Sequence, residues 1–98
     1  MNKYYIYILS NPSKMLYVGL TTDLDKILVK HRNRSMASFK ANFSFNKLIY
    51  VEENTDIIKA IEREVELKKT PYFKKMDLLR FKNPKWECIS DYWMKETA

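Results

Sequence analysis

The sequence predicts one α/β (α+β) domain over residues 1–98, with a small three-stranded, antiparallel-type sheet covered by about three helices. Three observations support this fold class. Runs rich in β-branched and aromatic residues occur at residues 3–9, 15–20 and 47–53. Helix-initiation signals follow the second and the third of these runs. A length of 98 residues with 46% apolar residues suits a single hydrophobic core.

The first two strands are expected to pair as a hairpin, because the segment SNPSK at residues 10–14 is typical of a turn. Alternate side chains of the first strand should lie on opposite faces of the sheet: Tyr5, Tyr7 and Leu9 on one, and Tyr4, Ile6 and Ile8 on the other. The second strand contains the chain's only glycine, Gly19. We expect that a side chain there would obstruct a site or the following turn.

The first helix is expected to begin at the segment TTDLD, where Thr22 and Asp25 form a capping-box pattern, and to end near residue 34. Residues 35–45 show no clear period and are predicted to form a loop. Thr55 is expected to cap a second helix over residues 56–70.

A third helix is expected after residue 70. Thr70 is its predicted cap, Pro71 its first residue, and the segment NPKW its end. Six aromatic residues in this part of the chain are expected to pack in the core, with a protein-binding surface as the alternative: Tyr72, Phe73, Phe81, Trp86, Tyr92 and Trp93.

Composition narrows the range of functions. A net charge of +6 and an isoelectric point near 9.4 favour a polyanionic partner, most often nucleic acid. No run approaches the ~18–20 apolar residues that a membrane span needs, and no signal segment opens the chain, so no membrane partner is expected. Cys88, the single cysteine, cannot form an internal disulfide. An intracellular, cytoplasmic location is the simplest expectation.

Two polar residues lie on predicted apolar faces. His31 continues the stripe of Leu24, Ile27 and Leu28 on the first helix. It is either a core histidine bonded to backbone, or a proton carrier or phosphate donor at a cleft.

Glu64 is the second of these residues. It falls among the apolar positions of the second helix: Ile57, Ile58, Ala60, Ile61 and Val65. Because burying an unpaired carboxylate is costly, Glu64 needs a partner. Lys68, four residues later, is one candidate and a divalent cation is the other.

These features together resemble the GIY-YIG nuclease domain, in its small stand-alone bacterial form. The name-giving triplets correspond to YIY at residues 5–7 and YVG at residues 17–19. Four later segments match the family's landmarks in order and spacing: TTDLDKILVKH, KLIYVEE, AIEREVELKK and NPKWECISDYW. The resemblance implies a compact α/β fold that hydrolyses DNA phosphodiesters. Relatives act as homing endonucleases, restriction enzymes, DNA-repair incision enzymes and nucleases of branched DNA.

The resemblance also implies a set of site residues. Tyr7 and Tyr17 would line the site and position or activate water, and His31 would assist proton transfer or phosphate contact. Glu64 would hold one divalent cation, Mg or Mn. The substrate would be DNA, with branched and single-stranded forms as candidates. Five basic residues in the first helix and the following loop are candidate DNA contacts: Lys26, Lys30, Arg32, Arg34 and Lys40.

One position departs from the family. Its arginine, one helical turn before the histidine, is replaced here by Ile27. Loss of a preorganised phosphate ligand lowers rates by ~10²–10³-fold. Two expectations therefore remain open: a metal-dependent endonuclease of reduced activity, or a catalytically inactive nucleic-acid-binding module on the same fold. Lys30 is the nearest flexible replacement for the arginine, although lysine cannot reproduce a bidentate guanidinium contact.

Overall fold

The computed structural model describes residues 2–27 and 47–89. It contains three strands: β1 (Tyr4–Ser10), β2 (Leu16–Thr21) and β3 (Lys47–Asn54). Helical residues 24–27 form the described part of α1, and they are followed later in the chain by α2 (Ile57–Lys69) and α3 (Tyr72–Lys82). The predicted fold class, an antiparallel three-stranded sheet with three helices, is confirmed. The predicted end of the first helix, the loop at residues 35–45, Tyr92 and Trp93 lie outside the described residues.

The sheet has the order β2-β1-β3, and both pairings are antiparallel. The predicted hairpin of β1 and β2 is therefore confirmed. In this register Tyr7 lies directly opposite Gly19 on β2 and Val51 on β3. An irregularity in the β1–β3 pairing at Ile8 and Leu9 shifts the partner from Tyr50 to Leu48. Consequently the central strand places Tyr7 beside the glycine of one neighbour and an apolar residue of the other.

Both faces of β1 are buried, and its side chains alternate between the two faces as predicted. One face packs in a cluster with α2 and α3 residues: Ile6, Ile8, Val18, Ile49, Tyr50, Ala60, Leu67 and Leu79. The opposite face packs in a second cluster with the start of α1: Tyr7, Leu9, Leu24 and Leu48, flanked by Tyr5, Ile27, Val51 and Ile89. Each fully buried aliphatic side chain stabilises the fold by ~1.5–3 kcal/mol. The central strand is thereby fixed from both sides.

Two of the three predicted threonine caps are wrong by one residue. In α1 the Asp23 carboxylate, not Thr22, accepts the Lys26 N–H at 3.2 Å. In α2 the Asp56 carboxylate, not Thr55, accepts from the N–H groups two and three residues later, at 2.9 and 3.3 Å. In both cases an aspartate directly follows the threonine and precedes the first helical residue. Its short carboxylate reaches the unpaired N–H groups of the first turn.

Thr70 ends α2 instead of capping α3. Its hydroxyl donates to the Glu66 carbonyl at 2.7 Å, and its backbone N–H bonds within the same last turn. Pro71 is the residue before α3, and no side chain caps that helix. Its carbonyl instead accepts the N–H groups of Lys74 and Lys75, both at 3.0 Å. The bond from the Lys74 N–H, three residues after Pro71, satisfies one first-turn donor that a side-chain cap would otherwise accept.

The apolar face predicted for α2 is also wrong. Only Ala60 of the predicted set is buried, and it is joined by Leu67, seven residues later. The four other predicted residues are exposed by 40–61%: Ile57, Ile58, Ile61 and Val65. The helix is rotated so that Arg63, whose Nε bonds Glu52 of β3, faces the sheet. This ion pair accompanies the rotation of α2, and the spacing of apolar residues in the sequence cannot predict it.

Three aromatic residues of α3 are exposed, against the expectation that they pack in the core. Tyr72, Phe73 and Phe81 are exposed by 50–80%, whereas Trp86 packs against the first cluster.

Among residues 2–27 and 47–89, no helix has the length and apolarity needed to cross a membrane.

Candidate functional site

The Tyr7 phenol lies across Gly19, its neighbour on β2. Tyr7 is only 4% exposed, so its ring is enclosed by the sheet and by the start of α1. A Cβ atom on residue 19 would lie 2.8 Å from Tyr7 Cε2 and closer still to Cζ and the hydroxyl. Such approaches essentially never occur. The chain's only glycine is therefore required by the position of the Tyr7 ring, which explains the obstruction predicted at this residue.

Tyr17 places a second phenol beside the first. It lies two residues before Gly19 on the same face of β2, and the centroids of the Tyr7 and Tyr17 rings are 6.4 Å apart, with planes inclined by 37°. Tyr17 is 48% exposed, in contrast to the buried Tyr7. The two tyrosines therefore differ in access to solvent: the Tyr7 ring is enclosed by the fold, whereas the Tyr17 ring is about half exposed.

Glu64 brings a carboxylate to these phenols from α2. Its side chain is 19% exposed, and its Oε2 lies 3.3 Å from Lys68 Nζ. The bond to Lys68 confirms the first of the two partners predicted for this residue. Burial, followed by the electrostatic influence of Tyr17 and of the Glu64 carboxylate, raises the pKa of Tyr7 to about 12. Tyr7 is therefore a protonated hydrogen-bond donor at neutral pH.

An ionic network next to Glu64 joins α2 to β3. Arg63 Nε contacts the two carboxylate oxygens of Glu52 at 2.9 and 3.1 Å, and Arg63 Nη1 contacts Glu66 at 2.6 Å. The Tyr50 hydroxyl donates to Glu52 at 2.5 Å. Arg63 precedes Glu64 on α2, so this network fixes the helix to β3 at the residue next to the Glu64 carboxylate. The sequence interpretation missed both Arg63 and Glu52. The only sequence signal is that Arg63 is a basic residue directly before Glu64, the candidate cation ligand.

Ile27 packs at the position where the resemblance implies an arginine. It is half-buried against the cluster that contains Tyr7 and Leu24. The described end of α1 therefore presents an aliphatic wall, and not a cation, beside the buried phenol. Lys26 is exposed at the neighbouring position. The other predicted residues of this segment lie outside the described part of the chain: Lys30, His31, Arg32, Arg34 and Lys40.

The residues present fit a divalent cation held by a single carboxylate. Magnesium commonly takes one or two protein carboxylates, with waters and substrate phosphates completing its shell. Glu64 offers such a carboxylate: Lys68 contacts Oε2, and the side chain retains some exposure. No cluster of three or more potential metal ligands occurs within residues 2–27 and 47–89. A cation here would therefore depend on Glu64 and on the substrate.

Raised phenol pKa values predict a loss of stability in alkali. Burial raises the pKa of Tyr7 to about 12, and burial with the bond to Glu52 does the same for Tyr50. Unfolded tyrosine titrates near ~10, so between pH 10 and 12 the unfolded chain loses protons that the folded chain retains. The stabilisation is complete below pH 10 and is lost as the pH rises through this window.

We expect the free energy of unfolding to fall by roughly 1 kcal/mol per phenol at pH 11. Urea unfolding at pH 9 and pH 11 measures this fall. The control is Tyr7→Phe/Tyr50→Phe, which should lose less stability over the same interval. Equal losses in the two proteins would contradict the prediction.

Comparison with known proteins shows which family this chain resembles over most of its length. The GIY-YIG catalytic domain matches residues 3–77. The UPF0213 protein SSP2268 of Staphylococcus saprophyticus is 33% identical over 79 residues, which cover 81% of this chain and 96% of that protein. A UPF0213 protein of Syntrophus aciditrophicus is 31% identical over 85 residues, covering 86% and 97% of the two chains.

A solved structure extends the similarity to three dimensions. The solution NMR structure of the UPF0213 protein BH0048 from Bacillus halodurans is 27% identical in sequence. It superposes with a TM-score of 0.59 and covers 87% of this chain and 90% of that one. The family match spans both tyrosine strands, the helix that carries Glu64 and part of α3. This chain therefore belongs to the GIY-YIG family of nuclease-type domains.

Proposed function

We propose that residues 1–98 form a single DNA endonuclease domain that hydrolyses phosphodiesters with one divalent cation, Mg or Mn, at a reduced rate. The observation that carries this proposal is that the Tyr7 ring lies against Gly19 and 6.4 Å from the Tyr17 ring, with the Glu64 carboxylate close enough to raise the pKa of Tyr7. These side chains come from three separate elements, and a structural role alone does not require a half-buried carboxylate beside a buried phenol. Branched and single-stranded DNA are the candidate substrates.

Each residue has a role that its environment permits. Tyr7, held protonated, donates a hydrogen bond to a phosphate oxygen or to the attacking water. The more exposed Tyr17 orients water or the DNA strand. Glu64 holds the cation, which when bound supplies Lewis-acid polarisation of the phosphate. Lys68, 3.3 Å from Glu64 Oε2, is a further cation within reach of a bound phosphate. His31 is the candidate for proton transfer.

One observation favours a second function, a nucleic-acid-binding module without catalysis. Ile27 completes an apolar wall beside Tyr7 at the position where a phosphate-binding arginine is expected. Packing at this position stabilises the fold but removes a donor for the charge that develops on the phosphate. The net charge of +6 would serve binding equally well in the absence of cleavage.

Cleavage assays with Glu64→Gln test the proposal. Labelled single-stranded, duplex, flap and four-way-junction DNA is incubated with wild type and variant in Mg and in Mn. We expect wild type to cut at least one form and Glu64→Gln to be slower by ~10²-fold or more, because the cation loses its charged ligand.

The matched control is Glu62→Gln, which removes an exposed carboxylate from the same helix. It should cut at the wild-type rate. A wild type that cuts no DNA form overturns the endonuclease proposal in favour of the binding module. If wild type and Glu64→Gln cut at equal rates, Glu64 is not the ligand of the cation.

A further inference from the structure

A cavity lies at the turn end of the β1–β2 hairpin. Its volume is about 210 Å³, and five residues line it: Asn11, Pro12, Lys14, Lys47 and Trp86. Asn11 follows Tyr7 by four residues, so the cavity is about 13 Å from Tyr7 along the direction of β1. The lining residues come from the hairpin turn, the start of β3 and the segment after α3.

Asn11, one of the residues that line this cavity, has a side-chain hydrogen-bond donor without a partner. The residue is 4% exposed, and its Oδ1 accepts the Met15 N–H at 2.8 Å. That bond fixes the orientation of the amide, because only the oxygen can accept it. Nδ2 is buried without a partner, and within residues 2–27 and 47–89 no other buried side-chain nitrogen or oxygen is in this state. A buried amide donor is ordinarily satisfied, so its partner is expected to be a bound group.

Unusual backbone conformations occur at the same place. Lys14 and Trp86 have φ values of 62° and 56°, and they are the only non-glycine residues with positive φ in the described part of the chain. Hydrogen bonds hold both conformations: the Tyr72 hydroxyl of α3 donates to the Lys14 carbonyl at 2.7 Å, and the Trp86 N–H donates within its own turn to the Asn83 carbonyl at 3.0 Å. Such strain persists where the surroundings enforce it, and it often accompanies ligand sites.

The electrostatics of the cavity favour an anion. Lys14 Nζ lies 5.3 Å from the centroid of the Trp86 ring, an arrangement that restrains the ammonium group by cation–π attraction. Lys47 adds a second positive charge, and none of the five lining residues is acidic. Two ammonium groups and one amide donor match the oxygens of a phosphate group. The volume leaves room for the phosphate and for part of an attached sugar.

We propose that this cavity binds a backbone phosphate of a nucleic-acid strand, through the charges of Lys14 and Lys47 and the Nδ2 donor of Asn11. The choice of a nucleic acid over free phosphate rests on the proposed function. The cavity would hold the strand about 13 Å from Tyr7 along β1, outside the reach of the reacting phosphodiester. The cavity therefore strengthens the binding of the strand and fixes its position relative to Tyr7, but takes no part in the hydrolysis.

Nuclear magnetic resonance of the ¹⁵N-labelled full chain tests the site directly. The resonances to follow are the Asn11 side-chain NH₂ pair and the Trp86 indole N–H. A 12-nucleotide single strand, a 12-base-pair duplex and inorganic phosphate are titrated separately, in EDTA to prevent cleavage. We expect saturable shifts of both resonances with at least one DNA form, at concentrations where inorganic phosphate at the same phosphate content produces none.

Three variants separate the site from general basicity. In Lys14→Ala/Lys47→Ala the slope of log affinity against log salt concentration should fall by about 2, one for each lost phosphate contact. Lys59→Ala/Lys74→Ala, which removes two exposed lysines elsewhere, should keep the wild-type Asn11 shifts. Asn11→Asp retains the acceptor for Met15 but replaces the donor with a negative oxygen, so the DNA-induced indole shift should disappear. The amide spectrum of each variant reports that it is folded.

The outcomes distinguish this inference from the proposed function. Asn11 and Trp86 resonances that DNA leaves unmoved overturn the cavity assignment, even where Glu64-dependent cleavage is observed. Equal shifts with inorganic phosphate and DNA overturn the nucleic-acid assignment in favour of a small-anion site. Saturable DNA shifts in a protein that cuts no DNA support the cavity and overturn only the endonuclease proposal.

Discussion

Replacement of Ile27 by arginine is expected to raise the rate of DNA cleavage by about 10²–10³-fold. Ile27 is half-buried against the cluster that contains Tyr7, so a longer side chain at this position begins beside the candidate site. Arginine can keep its aliphatic stem on that apolar surface while its guanidinium reaches a phosphate. The guanidinium would supply the bidentate donor that this chain lacks at the position.

The measurement is single-turnover cleavage of the best substrate by wild type and Ile27→Arg. Ile27→Lys and Ile27→Gln are the matched controls. Lysine supplies the charge without the planar pair of donors, so it should give a smaller gain, and glutamine should give none. Equal rates in wild type and Ile27→Arg would show that the missing arginine is not what limits catalysis. Cleavage by Ile27→Arg alone would assign the natural chain to the binding module.

The sequence predicts the two faces of β1 correctly because a strand has a period of two residues. Tyr7 and Leu9 share one cluster while Ile6 and Ile8 share the other. The pairing of Tyr7 with Gly19 follows once the turn between the strands is fixed. Sequence spacing cannot distinguish the buried Tyr7 from the exposed Tyr17. The difference depends on which residues of other elements, such as Leu24 of α1, pack on each ring.

Other features depend on long-range contacts that a local pattern does not contain. The rotation of α2 accompanies a bond from Arg63 to Glu52 eleven residues away, whereas the apolar period is dominated by isoleucines that remain exposed. The cap errors at Thr22 and Thr55 have a local cause: each of these two threonines precedes an aspartate, and either side chain could cap. The cavity at the hairpin end needs left-handed backbone at Lys14 and Trp86, which neither residue type favours.

Substitution of Gly19 by alanine is expected to destabilise the fold by about 2–3 kcal/mol, although alanine ordinarily suits a strand better than glycine. The new methyl group would overlap Cε2, Cζ and the hydroxyl of Tyr7, a side chain that is 4% exposed and has little room to move. No glycine in the described chain has a positive φ, so alanine at residue 19 meets no backbone penalty. The cost therefore comes from the phenol alone.

A double-mutant cycle with Tyr7→Leu isolates that cost, because leucine lacks the three atoms that the methyl group would meet. In the Tyr7→Leu background, Gly19→Ala should stabilise the chain by about 0.5–1 kcal/mol through the lower entropy of the unfolded state. Urea unfolding of the four proteins gives both values. The same sign in the two backgrounds would contradict the close approach of Tyr7 to Gly19. Opposite signs would show that glycine is retained at residue 19, at a cost in strand stability, because the buried phenol occupies the space where a side chain would be.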